Sequence, residues 1–580
     1  MEKRSEILGR LSSGAFDGTV LIVGGGINGV GVYRDLAAQG VPALLVDKGD
    51  FASGTSSAPS RLIHGGLRYL ETGEFQLVRE SVEERNRLLL NAPHLVKPIP
   101  VWVPALSRFG GALSAGLRFL RLKRTPGAKG SIVVRMGLAL FDRFGDKDRS
   151  MPRHRAVPIS EARGRVGFAS GVRAVLEYWD ARIVSPERYT LELVEDAEND
   201  CPASGALPYM ALSGLVDGRV LLTDCLDGER FTMRPALVVN CAGPWIDPVD
   251  AKIGISEPLS DGTKGSHLIL ERPDLVRELD GAMLYFETHD HRACLVYALD
   301  QRMILLGTTD LRTKQVDEAR CSDEEIEYLF GVLRDVLPQS RPARDQIRFT
   351  FAGVRPLPRS DAGATGAISR DHTFRDFPAD EARPFEVVTL VGGKWTTYRA
   401  CAEQLVDRIL PRLNKTRLRS TLTVPVGGGR DFPSESAGQQ ALVATVARDG
   451  GIATAAAERL VARYGTRART IAQSLDEAGR KALSGASEYL VGEILYMLRH
   501  ERVARLQDIV LRRSLLAFEG KASETTVRAV ADIVAPELGW TPEQRNAEVE
   551  KLLEQLAERH HVSNMRYEKR ATTDDEATVA

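Results

Sequence analysis

Cysteine is scarce in this chain, and its cysteines form no metal-binding pattern. There are six in 580 residues, far apart and without a Cys-x-x-Cys pair. This spacing argues against a zinc site or an iron–sulfur cluster, so we expect no bound metal. We expect reduced, mostly structural thiols in a cytoplasmic protein, at Cys201, Cys225, Cys241, Cys294, Cys321 and Cys401.

Long apolar runs are also absent. No stretch of about 18 uninterrupted apolar residues occurs, so no membrane-spanning helix is expected. The N-terminus, MEKRSEILGRLSSGAFDG, lacks the apolar core of a secretory signal. We therefore expect a cytoplasmic protein, and any attachment to the inner face of the cell membrane must be peripheral.

Net charge is nearly absent as well. The 77 Lys and Arg residues balance 78 Asp and Glu residues, which leaves a formal net charge of −1. This balance gives no general attraction to nucleic acid, and we predict no nucleic-acid partner. The composition is ordinary for a soluble globular protein, and the length predicts two or three domains.

A glycine-rich turn between two apolar, strand-like runs is the most informative motif, at residues 19–47. Gly24 permits a tight turn, and Gly26 lets a pyrophosphate approach the N-terminus of the following helix. Gly29 allows that helix to pack closely against the strand. Asp47 lies at the end of the second run, where an acid accepts hydrogen bonds from a ribose. The pattern predicts a bound dinucleotide.

Other segments give a coarse outline of the chain. Residues 74–92 have helical spacing, residues 206–240 form a β-rich meander, and residues 386–410 predict a strand, a glycine turn and a helix. Residues 436–560 predict a helical domain. The basic, glycine-rich segment 107–130 fits either an anionic membrane surface or a solvated loop and helix end.

Cationic and hydroxyl side chains accumulate in several separate motifs. Taken singly, each has an ordinary structural explanation. If the motifs converge in space, they form a cationic pocket suited to a small phosphorylated substrate. The candidate residues are His64, Arg68, Tyr69, His267, Arg355, Arg370, Lys394 and Thr396.

These motifs also carry a family resemblance. GGGINGVG, TSSAPSRLIHGGLRYLE, KGSHLIL, GTTD, GVRPL, ISRD and GGKWTTYR occur in order between residues 18 and 405. They resemble the motifs of the FAD-dependent, quinone-linked glycerol-3-phosphate dehydrogenases. The segment EILYMLRHERVARLQDIVLRRS at 493–514 is similar to the C-terminal domain of that family. The resemblance therefore covers most of the chain.

The resemblance implies an α/β fold with FAD bound in an extended form. It implies a Rossmann-like FAD-binding domain of the glutathione-reductase/D-amino-acid-oxidase type, a β-rich (α+β) substrate domain or cap, and a C-terminal all-helical domain. The implied cofactor-binding residues are Gly24, Gly26, Gly29, Asp47, Thr55, Ser56, Ser57, Ser60, Leu62, Gly393, Lys394 and Thr396.

The resemblance also implies roles at the substrate site. Arg68, Tyr69 and Arg370 would hold the phosphate of glycerol 3-phosphate, and Thr396 matches a substrate-site motif. Arg355 and Lys394 would steady the C2 oxygen while hydride passes from C2 to the flavin N5. His267 and His64 are alternative proton acceptors.

The predicted domain ranges follow from this reading. The FAD-binding domain would comprise residues 18–100, 160–260 and 340–412, and the substrate domain residues 101–159 and 261–339. A linker around 421–433 would lead to a helical domain at 430–562, and 565–580 would form a disordered tail.

Some positions depart from the family pattern, and several functions stay open. The acidic positions after Glu177-Tyr178 differ, and the basic segment 107–130 is longer than usual. We expect a homo-oligomer, a dimer, that delivers electrons to membrane quinone. The alternatives are an oxidase that uses oxygen and releases peroxide, an amine or amino-acid oxidase, and a non-catalytic flavin-binding or RNA-modification partner.

Overall fold

The structure is a computed structural model, and it describes residues 1–67, 74–105, 131–144, 151–288, 290, 292–360 and 371–562. Several predictions fall outside the described residues and stay predictions. They concern Arg68, Tyr69, Arg370, the basic segment 107–130 and the tail 565–580.

A six-stranded sheet, the first sheet, has the leading strand of the glycine motif near its centre. In spatial order its strands are Thr373–Phe377, Glu386–Val391, Leu237–Asn240, Val20–Val23, Ala43–Val46 and Gly205–Leu207. All pairings are parallel except that of the edge strand Thr373–Phe377. Helix Ile27–Ala38 returns along the sheet between the two strands of the motif, and this confirms the predicted strand–helix–strand unit.

The second sheet is larger and mostly antiparallel. In spatial order its main path is Leu311–Thr313, Ser260–Glu271, Met303–Gly307, Ala293–Ala298, Met283–Glu287, Val96–Ala105, Ala174–Ile183 and Leu62–Ile63. Ile347–Pro358 pairs with Ser260–Glu271, and Arg155–Val157 pairs with Ala174–Ile183. This sheet is the predicted β-rich region.

Several strands that lie wholly or partly within the predicted FAD-binding ranges make their ladder hydrogen bonds in the second sheet. They include Leu62–Ile63, Val96–Ala105, Ala174–Ile183 and Ile347–Pro358. The predicted domain ranges stay a prediction.

A separate three-stranded antiparallel sheet lies on one side of the first sheet. It comprises Met210–Val216, Arg219–Asp224 and Arg230–Met233. Its inward side chains, such as Leu212 and Leu222, share an apolar core with the first sheet. The predicted meander at 206–240 is confirmed.

Helices flank the sheets and form most of the C-terminal region. Before residue 420 they span Arg4–Ser12, Ile27–Ala38, Phe75–Asn91, Ser131–Phe144, Ile159–Arg165, Pro186–Asp200, Ile246–Lys252, Pro273–Leu279, Asp323–Val336 and Tyr398–Ile409. After it they span Ser436–Gly450, Thr454–Tyr464, Ala468–Gln473, Val491–His500, Glu524–Leu538 and Pro542–His560. The C-terminal helical domain is therefore present, and it also includes a short hairpin of Ala482–Leu483 and Ala486–Leu490.

The connection into the C-terminal region is packed in place and is not a free linker. Gly427, Gly428 and Gly429 are buried. A Cβ atom on Gly428 would lie 1.9 Å from the carbonyl oxygen of Tyr464. Only glycine leaves room for this close approach of two backbones.

A buried ion-pair cluster, the Asp50 cluster, joins the C-terminal region to the first sheet. It consists of Asp50, Asp508, Arg512 and Arg513. Arg512 Nε and Arg513 Nη1 each donate to Asp50 Oδ2 at 2.6 Å, and Arg512 Nη2 donates to Asp508 Oδ1 at 2.6 Å. Asp50 is 1% exposed. Burial acts to raise the pKa of Asp50, but the two guanidinium groups outweigh it and the pKa is lowered.

Candidate active site

One cavity of about 1860 Å³ is lined by nearly all of the described candidate residues. Its walls come from the first sheet, the second sheet and the C-terminal region. Ligand pockets commonly measure about 300–1,000 Å³, so this cavity has room for a dinucleotide and a small substrate. The candidates among its wall residues are Gly24, Gly26, Asp47, Thr55, Ser56, Ser57, Ser60, Leu62, His64, His267, Arg355, Gly393, Lys394 and Thr396.

The glycine turn forms one end of this cavity, and each glycine meets a separate steric demand. Gly24 has φ +110°, and a Cβ there would lie 2.5 Å from the carbonyl oxygen of Cys241. Gly26 caps the N-terminus of helix Ile27–Ala38 and lines the cavity. A Cβ on Gly29 would lie 1.9 Å from the carbonyl oxygen of Gly24. Gly29 therefore lets helix and turn pack together, as expected, and is not itself a wall residue.

We expect Gly29→Ala to prevent normal packing of this turn. The added methyl group must displace the Gly24 carbonyl or the helix, so the purified variant should lose the FAD that the family resemblance implies, and with it the yellow colour. Absorbance at the flavin band per mole of protein measures the effect. Gly9→Ala is the control, because no atom lies within 4 Å of a Cβ at that helical position. A Gly29→Ala protein that retains a full complement of FAD would refute this steric assignment.

Asp47 is fixed by two backbone donors beside the turn. Gly25 N–H donates to Asp47 Oδ2 at 2.7 Å, and Gly49 N–H donates to Oδ1 at 2.8 Å. Burial raises the pKa of the Asp47 carboxyl, whereas the two donors act to lower it. A carboxylate oxygen accepts more than one hydrogen bond, so Asp47 retains acceptor capacity toward the cavity.

The loop carrying the predicted hydroxyl residues is held by its own side chains. Ser56 Oγ accepts from Ile27 N–H at 2.8 Å, at the start of the helix. Thr55 Oγ1 donates to the carbonyl of Val354, and Ser57 Oγ donates to that of Gly54 at 3.0 Å. These bonds place the loop along the cavity between the glycine turn and the second sheet.

Arg355 enters the cavity from strand Ile347–Pro358. Its guanidinium donates to Asp310 Oδ1 at 3.1 Å and to Thr308 Oγ1 at 3.2 Å. A Cβ on Gly265, on the adjacent strand, would lie 2.2 Å from Arg355 Nη2. Gly265 therefore makes the space that the guanidinium occupies, which explains the glycine of the KGSH motif.

His267 is buried on the neighbouring strand Ser260–Glu271. Its ring stacks on Phe351 with centroids 4.7 Å apart, and its Nε2 is 2.8 Å from Ser60 Oγ. Burial, assisted by Arg355 and Arg61, lowers the pKa of His267 to about 3. The imidazole is therefore neutral at pH 7 and is a weak base.

The low pKa of His267 predicts an acid-sensitive fold. In the unfolded chain the histidine has a pKa near 6.5 and binds a proton below that pH. In the folded protein His267 stays neutral down to about pH 3. The unfolding free energy should therefore decrease as pH falls from 6.5 toward 3, by about 2 kcal/mol at pH 5 for this residue. Urea unfolding of His267→Gln at pH 7 and pH 5 should show a smaller pH effect than wild type. Equal pH effects in the two proteins would contradict the assignment.

The second candidate base, His64, also lines the cavity. The N–H of the next residue, Gly65, donates to Asp180 Oδ1 at 3.1 Å. Asp180 is fully buried and pairs with Arg85 Nη1 at 2.8 Å. This ion pair fixes the loop that carries His64.

Lys394 and its neighbours lie at the turn between strand Glu386–Val391 and helix Tyr398–Ile409, as predicted. Gly393 has φ +96°, and a Cβ there would lie 2.8 Å from Asn28 Nδ2. Lys394 Nζ donates to Ser81 Oγ at 3.3 Å. Thr396 is buried just before the helix.

Several wall residues are not among the candidates that the sequence indicates. Arg61 forms a buried ion pair with Glu187, and its guanidinium lies 3.6 Å from the ring centre of Phe518. Arg512 and His560 also come from the C-terminal region and line the cavity. Arg61 belongs to the TSSAPSRL motif and could have been singled out, whereas no local signal indicates the C-terminal residues.

Three further properties concern the thiols, metal binding and membrane-spanning helices. All six cysteines carry free thiols, and five of them are buried. Across the part of the chain that the structure describes, no three His, Cys, Asp or Glu side chains are placed to hold a metal ion. None of the helices built from described residues reaches the length and hydropathy needed to cross a bilayer.

Two family models match the chain in succession. Residues 19–408 match the family described as FAD dependent oxidoreductase. Residues 419–545 match the family described as C-terminal domain of alpha-glycerophosphate oxidase. The packed connection at Gly427–Gly429 lies within the second match, close to its start.

Similar proteins cover almost the whole chain. The glycerol-3-phosphate dehydrogenase of Synechocystis sp. is 31% identical over 93% of this chain and 96% of its own length. The D-erythritol 1-phosphate dehydrogenase of Brucella abortus is 29% identical over 85% of this chain and 93% of its own length. The glycerol-3-phosphate dehydrogenase structure from Bacillus halodurans, complexed with FAD, has a TM-score of 0.71 and 24% identity, with 96% of this chain and 97% of that chain covered. The last comparison shows that the fold is shared.

Proposed function

Because the chain belongs to the FAD-dependent oxidoreductase family, we propose that it oxidises sn-glycerol 3-phosphate to dihydroxyacetone phosphate with FAD as hydride acceptor. The C-terminal match and the names of relatives at about 30% identity support this substrate. The observation that carries the proposal is that one cavity joins the glycine turn and Asp47 to Arg355 and Lys394.

The residues present fit FAD. Gly26 opens the N-terminus of helix Ile27–Ala38, whose free N–H groups suit a pyrophosphate. Asp47 offers carboxylate oxygens to a ribose, and the cavity volume exceeds what one small substrate needs. We propose that Thr55, Ser56, Ser57, Ser60 and Leu62 line the flavin side, with Gly393, Lys394 and Thr396 at its far edge.

Side chains of this protein would bind the substrate and stabilise the charge that develops on it. FAD, when bound, supplies a two-electron acceptor for the hydride of C2. Arg355 and Lys394 would stabilise negative charge on the C2 oxygen as it loses its proton, because fixed cations in a partly dry site lower the cost of that charge. The family motifs assign Arg68, Tyr69 and Arg370 to the phosphate, with Thr396 beside them.

For the proton acceptor we favour His64 over His267. Both line the cavity. A general base works best with a pKa near the working pH, and the pKa of His267, about 3, lies far below neutrality. His267 instead contributes a neutral ring stacked on Phe351.

Anaerobic titration with glycerol 3-phosphate tests the function. One equivalent should bleach the flavin absorbance and yield one equivalent of dihydroxyacetone phosphate. Erythritol 1-phosphate, glycerol and neutral amino acids serve as comparison substrates. Bleaching by an amino acid, or none by any polyol phosphate, would defeat the proposal.

The electron acceptor is proposed separately, as membrane quinone. Oxygen is the second candidate, because the C-terminal family model is described for an oxidase. Peroxide yield measured against reduction of a soluble quinone decides between them. A cytoplasmic position, peripheral membrane attachment and a dimer stay predictions, which vesicle co-sedimentation and light scattering would test.

A further inference from the structure

The partners of Arg355 are themselves held by a second set of buried side chains. Two of the groups that receive its hydrogen bonds, the carbonyl of Thr309 and the carboxylate of Asp310, lie next to each other in the segment 307–310. This segment follows strand Met303–Gly307 and leads to Leu311–Thr313. Whatever fixes the segment also fixes the direction of the guanidinium.

The side-chain hydroxyl of Thr309 bonds to groups other than Arg355. Thr309 is 1% exposed. Its Oγ1 donates to Glu325 Oε1 at 2.6 Å and accepts from Ser266 N–H at 2.9 Å. The Thr309 hydroxyl therefore connects the segment to strand Ser260–Glu271 and to helix Asp323–Val336.

Glu325 contacts Thr309 and three further groups around it. It lies in the first turn of helix Asp323–Val336, where its Oε2 also accepts from Ser322 N–H at 3.0 Å. Lys264 Nζ lies 2.8 Å from Oε2, and Ser266 Oγ donates to Oε1 at 2.9 Å. Burial acts to raise the pKa of Glu325, but the hydrogen bonds from Lys264 and Thr309 outweigh it and the pKa is lowered. The ionised carboxylate makes strong, charge-assisted hydrogen bonds.

We propose that Thr309 and Glu325 are positioning residues for Arg355. Glu325 holds the Thr309 hydroxyl, and Thr309 holds the carbonyl and the neighbouring Asp310 carboxylate that receive the guanidinium. This inference rests on the proposed function, in which Arg355 acts on the C2 oxygen. The proposed contacts also connect the KGSH and GTTD motifs to helix Asp323–Val336, which contains neither motif.

Thr309→Val and Thr309→Ser form the test pair. Valine keeps the shape and removes the hydroxyl, so the segment should shift and turnover should fall by up to about 100-fold, the effect of misplacing a catalytic group by about 1 Å. Serine restores the hydroxyl and should recover most of the turnover. FAD content should stay constant in both variants.

Thr389→Val is the matched control. Thr389 is equally buried, and its hydroxyl donates to the carboxylate of Asp250 at 2.9 Å, away from Arg355. It should lose thermal stability like Thr309→Val but keep its turnover. A Thr309→Val protein with normal turnover, a Thr309→Ser protein without recovery, or an equal turnover loss in Thr389→Val would each overturn the inference.

The Arg355→Ala background separates this inference from the proposed function. There, Thr309→Val should cause no further loss of turnover, because the group that it positions is gone. An additional loss would show a general structural effect and overturn the inference. If Arg355→Ala alone keeps normal turnover, the role of Arg355 fails first; if it loses turnover while Thr309→Val does not, the positioning role alone fails.

Discussion

Replacing Arg355 with alanine should lower turnover by about 100- to 1,000-fold, the usual cost of removing one group that stabilises a developing oxyanion. FAD should stay bound, because the groups proposed to hold its pyrophosphate and ribose lie at the glycine turn and Asp47. The measurement is the rate of flavin reduction by saturating glycerol 3-phosphate, together with the FAD content of the purified variant.

Arg348→Ala is the matched control for this prediction. Arg348 lies on the same strand, Ile347–Pro358, but pairs with Glu271 at 2.7 Å on the outer side and is not a cavity wall residue. Its removal should leave flavin reduction unchanged. Normal turnover in Arg355→Ala would show that the substrate oxygen is held by other groups.

Replacing Asp50 with asparagine should lower the unfolding free energy by about 3–5 kcal/mol, because it removes the buried carboxylate that two buried guanidinium groups share. Arg512 and Arg513 both donate to this carboxylate at 2.6 Å. Equilibrium unfolding in urea, with loss of flavin fluorescence quenching as a second probe, measures the effect.

Asp317→Asn supplies the comparison for the Asp50 variant. Asp317 pairs with Lys48 at 2.7 Å, but their side chains are 72% and 51% exposed, so the change should cost no more than about 1 kcal/mol. Equal losses in the two variants would mean that the Asp50 cluster does not hold the domains together.

The pH dependence of the Asp50 effect follows from its lowered pKa. A carboxyl with a folded pKa below the unfolded value stabilises the protein fully above the unfolded pKa, near pH 4. As pH falls through the folded pKa, the stabilisation is lost. The difference between wild type and Asp50→Asn should therefore be largest at neutral pH and shrink in strong acid.

The nucleotide end of the site was predictable because its signals are local. Gly24, Gly26, Gly29 and Asp47 lie within one short unit, and strand, turn and helix occur where the pattern places them. His64, His267, Arg355 and Lys394 come from separate motifs, and all four line one cavity. Their chemical roles stay predictions.

Other features of the fold and the site depend on contacts between residues far apart in the sequence, which no local pattern reveals. Strand Ile347–Pro358 has the same apolar character whichever sheet it joins, so its place in the second sheet could not be read from its residues. The pKa of His267 depends on how deeply it is buried. Phe518 and His560 reach the cavity only because the C-terminal region folds back onto it.

The order in which the chain is made gives the Asp50 cluster a further consequence. Asp50 leaves the ribosome early, whereas Arg512 and Arg513 emerge more than 400 residues later. Until then its carboxylate has no counter-charge and is kept hydrated, since burying it alone is costly. The contacts of Asp50 with Arg512 and Arg513 can therefore form only after translation has nearly finished.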